Sequence, residues 1–127
     1  MEFNLAKDIQ KAIKKILEEI DFPHIKPNQI VCFRSFGSKS RARARIWSLP
    51  QIWQKALQVK PHYCIEILSE KFDCLSNAEQ TKTLIHELMH IPKTFSGALL
   101  PHRGRGKVII DNRTVDKLYK KILSTKS

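Results

Sequence analysis

Glutamate is absent from this 127-residue chain after Glu87. Any site built on the C-terminal third must therefore take its carboxylates from Asp111 or Asp116. Cysteine is nearly as scarce. Cys32, Cys64 and Cys74 are an odd number without C-x-x-C spacing, which argues against a disulfide framework or a thiolate zinc knuckle and fits reduced thiols in a cytoplasmic protein. No apolar run is long enough to span a membrane, and Met1 to Leu5 lacks the charged and apolar regions of a secretory signal. Repeats, linkers and low-complexity tracts are missing too, so residues 1–127 read as one domain with a single core. Acidic residues are outnumbered, 12 against 23 Lys and Arg, leaving a net charge of +11.

Against these absences stands the pentapeptide His86-Glu87-Leu88-Met89-His90. Two histidines four apart project from one face of a helix, about 40° apart around its axis, and can share a tetrahedral metal. Glu87 lies roughly 100° from His86, placed to miss the metal and to act as general base on a water held there. H-E-x-x-H is the signature of a metal-assisted hydrolase. The surroundings suit it. Ser76 and Glu79 form a capping-box pattern at a helix start, Leu84, Ile85, Leu88 and Ile91 supply apolar stripes, and Pro92 stops the helix just past the second histidine.

A catalytic zinc takes three protein ligands and leaves one position open. Downstream, the candidates are His102, Asp111 and Asp116. Asp111 reads better as the N-cap of a last helix, and Asp116 as a solvated residue on it, although Thr114-Val115-Asp116-Lys117-Leu118-Tyr119 contains the aspzincin core pattern T-x-D-x-x-Y. His102 is the only histidine after the motif. It follows a loop carrying Pro92, Gly97 and Pro101, long enough to fold back under the helix. One Zn2+ held by His86, His90 and His102 is the expectation.

The remaining segments alternate in type. Residues 4–20 carry an apolar stripe from Leu5 to Ile20 at helical spacing, and Gln29 to Phe36 is strand-like. Arg41 to Trp47 should pair with that strand as a hairpin. A short helix near Pro50 to Leu57 follows, where Trp47, Ile52 and Trp53 offer core material. His62 to Leu68 forms a third strand before the metal helix, and a helix from about Asn112 to Leu123 closes the chain. The class is α+β, with a small, mostly antiparallel sheet against the N-terminal, motif and C-terminal helices.

The run T-L-I-H-E-L-M-H-I-P-K-T-F-S-G-A-L-L-P-H-R resembles a small phage and archaeal metallopeptidase family of minimal zincin-like domains, and is similar to SprT-like proteases. The close match covers about residues 81–106, with compatible element order over most of the chain. The resemblance implies a zinc metalloendopeptidase acting on peptide or protein substrates, with His86, His90 and His102 as ligands and Glu87 as general base. It also implies that the strand before the metal helix, Tyr63, Cys64, Ile65, Glu66 and Ile67, forms a sheet edge that adds the substrate as a further strand.

The excess positive charge suggests a second surface. Arg41, Arg43 and Arg45 alternate and so point to one side of a strand, with Arg103 and Arg105 beside the third ligand. Such a row fits sequence-independent association with nucleic acid or an acidic partner. The alternative to the peptidase is accordingly a basic binding module whose zinc is structural or vestigial.

Overall fold

The computed structural model describes residues 2–102 and 109–125. It is an α+β fold: a four-stranded mixed sheet of β1 (Glu2–Leu5), β2 (Ile30–Phe36), β3 (Ala44–Ser48) and β4 (Tyr63–Leu68), with five helices. These helices are α1 (Lys7–Glu19), α2 (Gln51–Leu57), α3 (Ser69–Phe72), α4 (Asn77–Met89) and α5 (Asn112–Thr125).

The strand order is β1-β2-β4-β3, with β2 and β4 parallel and both outer pairs antiparallel. Burial explains the order. The run Tyr63-Cys64-Ile65-Glu66-Ile67-Leu68 is buried at every residue except half-buried Cys64, as a central strand requires. β3, with exposed Trp47 and Ser48, suits an edge. The expected hairpin between β2 and β3 does not form. Ser38 and Ser40 turn the intervening chain through bonds to the amides of Ser40 and Ala42, and β3 pairs with β4 instead. β4 is therefore not a sheet edge, and its backbone is paired on both sides.

Alternation gives the sheet two unlike faces. Ile30, Cys32, Ala44, Tyr63, Ile65 and Ile67 face the helices and share one core with Ile9, Ile13 and Ile16 of α1, Leu84, Ile85 and Leu88 of α4, and Val115 and Ile122 of α5. Full burial of each large aliphatic side chain contributes about 1.5–3 kcal/mol. The opposite face carries Phe33, Glu66 and Trp47, with Phe3 and Leu5 from β1.

Two local expectations change. Leu5 does not join the α1 stripe. Residues 2–5 pair with β2, and α1 begins only at Lys7, its start tied to β2 by Gln10, whose amide bonds Ile30 O and whose carbonyl accepts from Cys32 N. Trp47, Ile52 and Trp53 are not core: Ile52 and Trp53 are 76% and 55% exposed because α2 buries none of its residues, and Trp47, on the sheet face away from the helices, is 53% exposed. No described helix is long and apolar enough to cross a membrane.

Candidate metal centre and cleft

α4 positions the motif. Ser76 Oγ accepts from Glu79 N–H at 3.2 Å and opens the helix, and the reciprocal half of the capping box is replaced by ion pairs of Glu79 with Arg43 and Lys82. At the other end the ladder tightens, with His90 N–H bonding Glu87 O and Ile91 N–H bonding Leu88 O, both at 3.1 Å. His90 is the C-cap, so the second histidine sits where α4 gives way to the loop.

That loop returns to the helix. Leu100 N–H donates to His90 O at 2.7 Å, and His90 Nδ1 lies 2.5 Å from Leu100 O. A carbonyl can only accept, so Nδ1 carries the proton and Nε2 is left with its lone pair. Two residues on, the carbonyl of His102 accepts from Ile110 N–H at 3.0 Å. His102 Nε2 then lies 3.0 Å from His86 Nε2. One ligating atom from each of His86, His90 and His102 can be chosen so that all lie within 4.8 Å of one another. A tetrahedral zinc with bonds of about 2.0–2.1 Å holds its nitrogens roughly 3.3 Å apart, close to the His86–His102 separation.

Glu87 supplies the second test of fit. The residue is 7% exposed, and its Oε2 is buried without a hydrogen-bond partner. Burial pushes its carboxyl up to about 7. Burial, then the neighbouring His90 and His102, pushes His86 down to about 4, and burial also lowers His90. Imidazole nitrogens with free lone pairs are donors a divalent cation takes, and the unpaired Glu87 oxygen lines the same cleft without belonging to that set. The three histidines can hold a metal ion.

The cluster opens into a cleft of about 1000 Å³ between α4, β3 and α5. Beyond the histidines, its charged end holds Arg43, Glu79, Lys82 and Asp116, with Lys82 Nζ 3.1 Å from Asp116. Its other end holds Trp47, Leu99 and Leu100. Helical spacing could have revealed part of this, since Glu79, Lys82, Thr83, His86 and His90 recur three or four apart. The contribution of β3 could not be read without its pairing.

None of Tyr63, Cys64, Ile65, Glu66 and Ile67 lines the cleft. Tyr63 bonds the loop. Glu66, on the opposite face, accepts from Ser35 Oγ at 2.6 Å, Trp47 Nε1 at 2.9 Å and Arg45 Nη2 at 3.2 Å. The arginines do not form a row. Arg41 precedes β3, Arg43 reaches Glu79 on α4, and Arg45 turns to Glu66 on the other side of the sheet. Arg103 and Arg105 lie outside the described residues. Asp111 acts as the α5 N-cap, its Oδ1 accepting from Thr114 N–H at 2.9 Å.

A family model described as "Putative phage metallopeptidase" matches residues 1–122. Comparison with curated proteins and with solved structures finds no match.

Proposed function

The chain belongs to this phage metallopeptidase family, and on that premise we propose that it is a zinc-dependent endopeptidase. His86, His90 and His102 hold one Zn2+, and Glu87 is the general base. The observation that carries this reading is the convergence of three imidazoles beside the buried, unpartnered Glu87 oxygen. When bound, zinc supplies a Lewis acid for the carbonyl and lowers the pKa of water towards about 7. Glu87 takes the proton of the attacking water and delivers it to the leaving amine. Its low exposure keeps bulk water from competing for that proton, and the Leu100 carbonyl fixes the His90 tautomer.

The substrate lies along β3. Leu68 N–H bonds Arg43 O, so residues 43, 45 and 47 direct their backbone groups to β4. Ala44, Ile46 and Ser48 consequently direct theirs to the open edge, facing the cleft. An extended peptide added there crosses the histidine cluster, with side chains reaching the charged end on one side and Trp47 and Leu99 on the other.

Glu87→Gln tests the mechanism. The variant should retain zinc at the parent's stoichiometry while peptide cleavage falls by about 10²–10⁴-fold. A purified Gln variant that cleaves peptides like the parent would rule the mechanism out. Tightly held zinc in a parent that never cleaves would instead favour the basic binding module with a structural ion.

A further inference from the structure

Eleven residues, Ile91 to Pro101, separate the second histidine from His102. A free loop of that length would have to be ordered each time metal bound, at an entropic cost subtracted from affinity. The structure has this loop pinned at three consecutive residues. Gln54 Nε2 donates to Ser96 O at 2.9 Å and to Leu49 O at 2.7 Å. Tyr63 Oη accepts from Gly97 N–H at 3.0 Å and donates to Ala98 O at 2.8 Å. Gly97 has φ of 95°, a left-handed conformation, and a Cβ there would collide with Leu49 O and the Gln54 amide. The Tyr63 ring packs edge-on against buried Phe95 at 5.2 Å.

We propose that Tyr63 is a positioning residue for the metal centre, its hydroxyl holding the Gly97–Ala98 turn so that Leu100 orients His90 and His102 meets His86. Gln54 is its accessory. The inference rests on the zinc-site reading of the three histidines. Tyr63 is suited to the task because it is 1% exposed and opens central strand β4, so its oxygen is referred to the sheet rather than to a mobile segment. Burial raises its pKa, which keeps the hydroxyl protonated and able to donate to Ala98. A tyrosine that served only the core would need the ring and not the oxygen. The two hydrogen bonds to consecutive backbone groups distinguish these cases.

The test uses Tyr63→Phe in the full chain, with zinc affinity measured by competition against a chromophoric chelator and coordination read from the visible spectrum of the cobalt-loaded protein. Loss of the hydroxyl should weaken zinc binding by about 10–100-fold and shift the cobalt spectrum towards that of His102→Ala. In a His102→Ala background the same change should cost less than in the parent, because one of the two ligands it positions is gone and only the Leu100–His90 contact is left to lose. Gln54→Ala, on a helix with no buried residue, should give a smaller loss in the same direction and provides a second variant should Tyr63→Phe fold poorly. Parent-like affinity and spectrum in Tyr63→Phe, or equal losses in both backgrounds, would overturn the positioning role alone. A parent that binds neither zinc nor cobalt would overturn both this role and the reading beneath it.

Discussion

The two walls of the cleft hang from opposite faces of one strand, and they are held by different chemistry. On the helical face of β4, Tyr63 grips the loop wall through two neutral bonds to backbone groups. On the other face, Glu66 grips the β3 wall through side chains alone, from Arg45 and Trp47, while Ser35 braces it from β2. A neutral hydrogen bond contributes about 0.5–1.5 kcal/mol net, one to a charged group about 1.5–3. The loop wall thus depends on conformation, with glycine at 97, and the strand wall on a buried charge. The comparison implies separable failures: damage to Tyr63 should reach the metal, and damage to Glu66 the peptide.

The largest effect is expected at Glu66, whose side chain is 2% exposed. Burial pushes its carboxyl up, but hydrogen bonds from Ser35, Trp47 and Arg45 outweigh that and leave the pKa lowered. Glu66→Ala strands the Arg45 guanidinium, whose Nε is already buried without a partner. Breaking a buried pair costs about 3–5 kcal/mol, and the lower end applies because Arg45 is 36% exposed. Chemical denaturation should show this loss, with KM for peptides raised and zinc stoichiometry unchanged. If Glu66→Ala lost zinc as readily as Tyr63→Phe, the walls would not be separately held.

Gly97→Ala addresses the other wall and should cost less. The left-handed backbone at φ 95° and the collision with Leu49 O strain any side chain there, by about 1–3 kcal/mol. Here zinc affinity should fall while the salt-bridged β3 wall is untouched. Denaturation and chelator competition read the two effects separately. Unchanged zinc affinity would show that the turn does not carry His102.

These contrasts mark what could be read before the fold. The meeting of His86, His90 and His102 is legible because helical spacing and a scarcity of alternatives constrain it locally, and helix starts at Ser76 and Asp111 follow from capping chemistry. The α+β class followed from alternating segment types. Strand neighbours did not follow, because pairing is a non-local choice. Arg41 to Trp47 looked like the partner of β2, yet the more completely buried Tyr63–Leu68 run takes that slot. With β4 paired on both sides, the sheet edge beside the cleft belongs to β3, and Tyr63 and Glu66 bond the loop and β3 rather than lining the cleft. The arginine row failed for a related reason: alternation places side chains on a face but says nothing of the carboxylates waiting there.

The smallest effect separates buried from exposed charge. Arg34 on β2 joins Asp8 of α1 at 2.6 Å and Asp73, just past α3, at 3.0 Å, an exposed counterpart of the Glu66 cluster. The Arg34 hydrogen bond holds Asp8 below its ordinary value. At Asp73, burial acts upward, and bonds from Arg34 and Ser69 outweigh it. Lowered carboxylate pKa values stabilise the fold above their unfolded values, near 3.8, and that contribution is lost as pH falls through the lower folded values. Asp8 and Asp73 side chains are 64% and 39% exposed, so solvent screening limits the whole cluster to about 1 kcal/mol or less. Arg34→Met should therefore lower Tm slightly at neutral pH and flatten its decline below about pH 4, leaving the part due to Glu66 in place. A decline as steep as the parent's would mean that the buried carboxylate alone sets the acid limb. A complete loss of the decline would mean that the exposed cluster carries the charge energy assigned to Glu66.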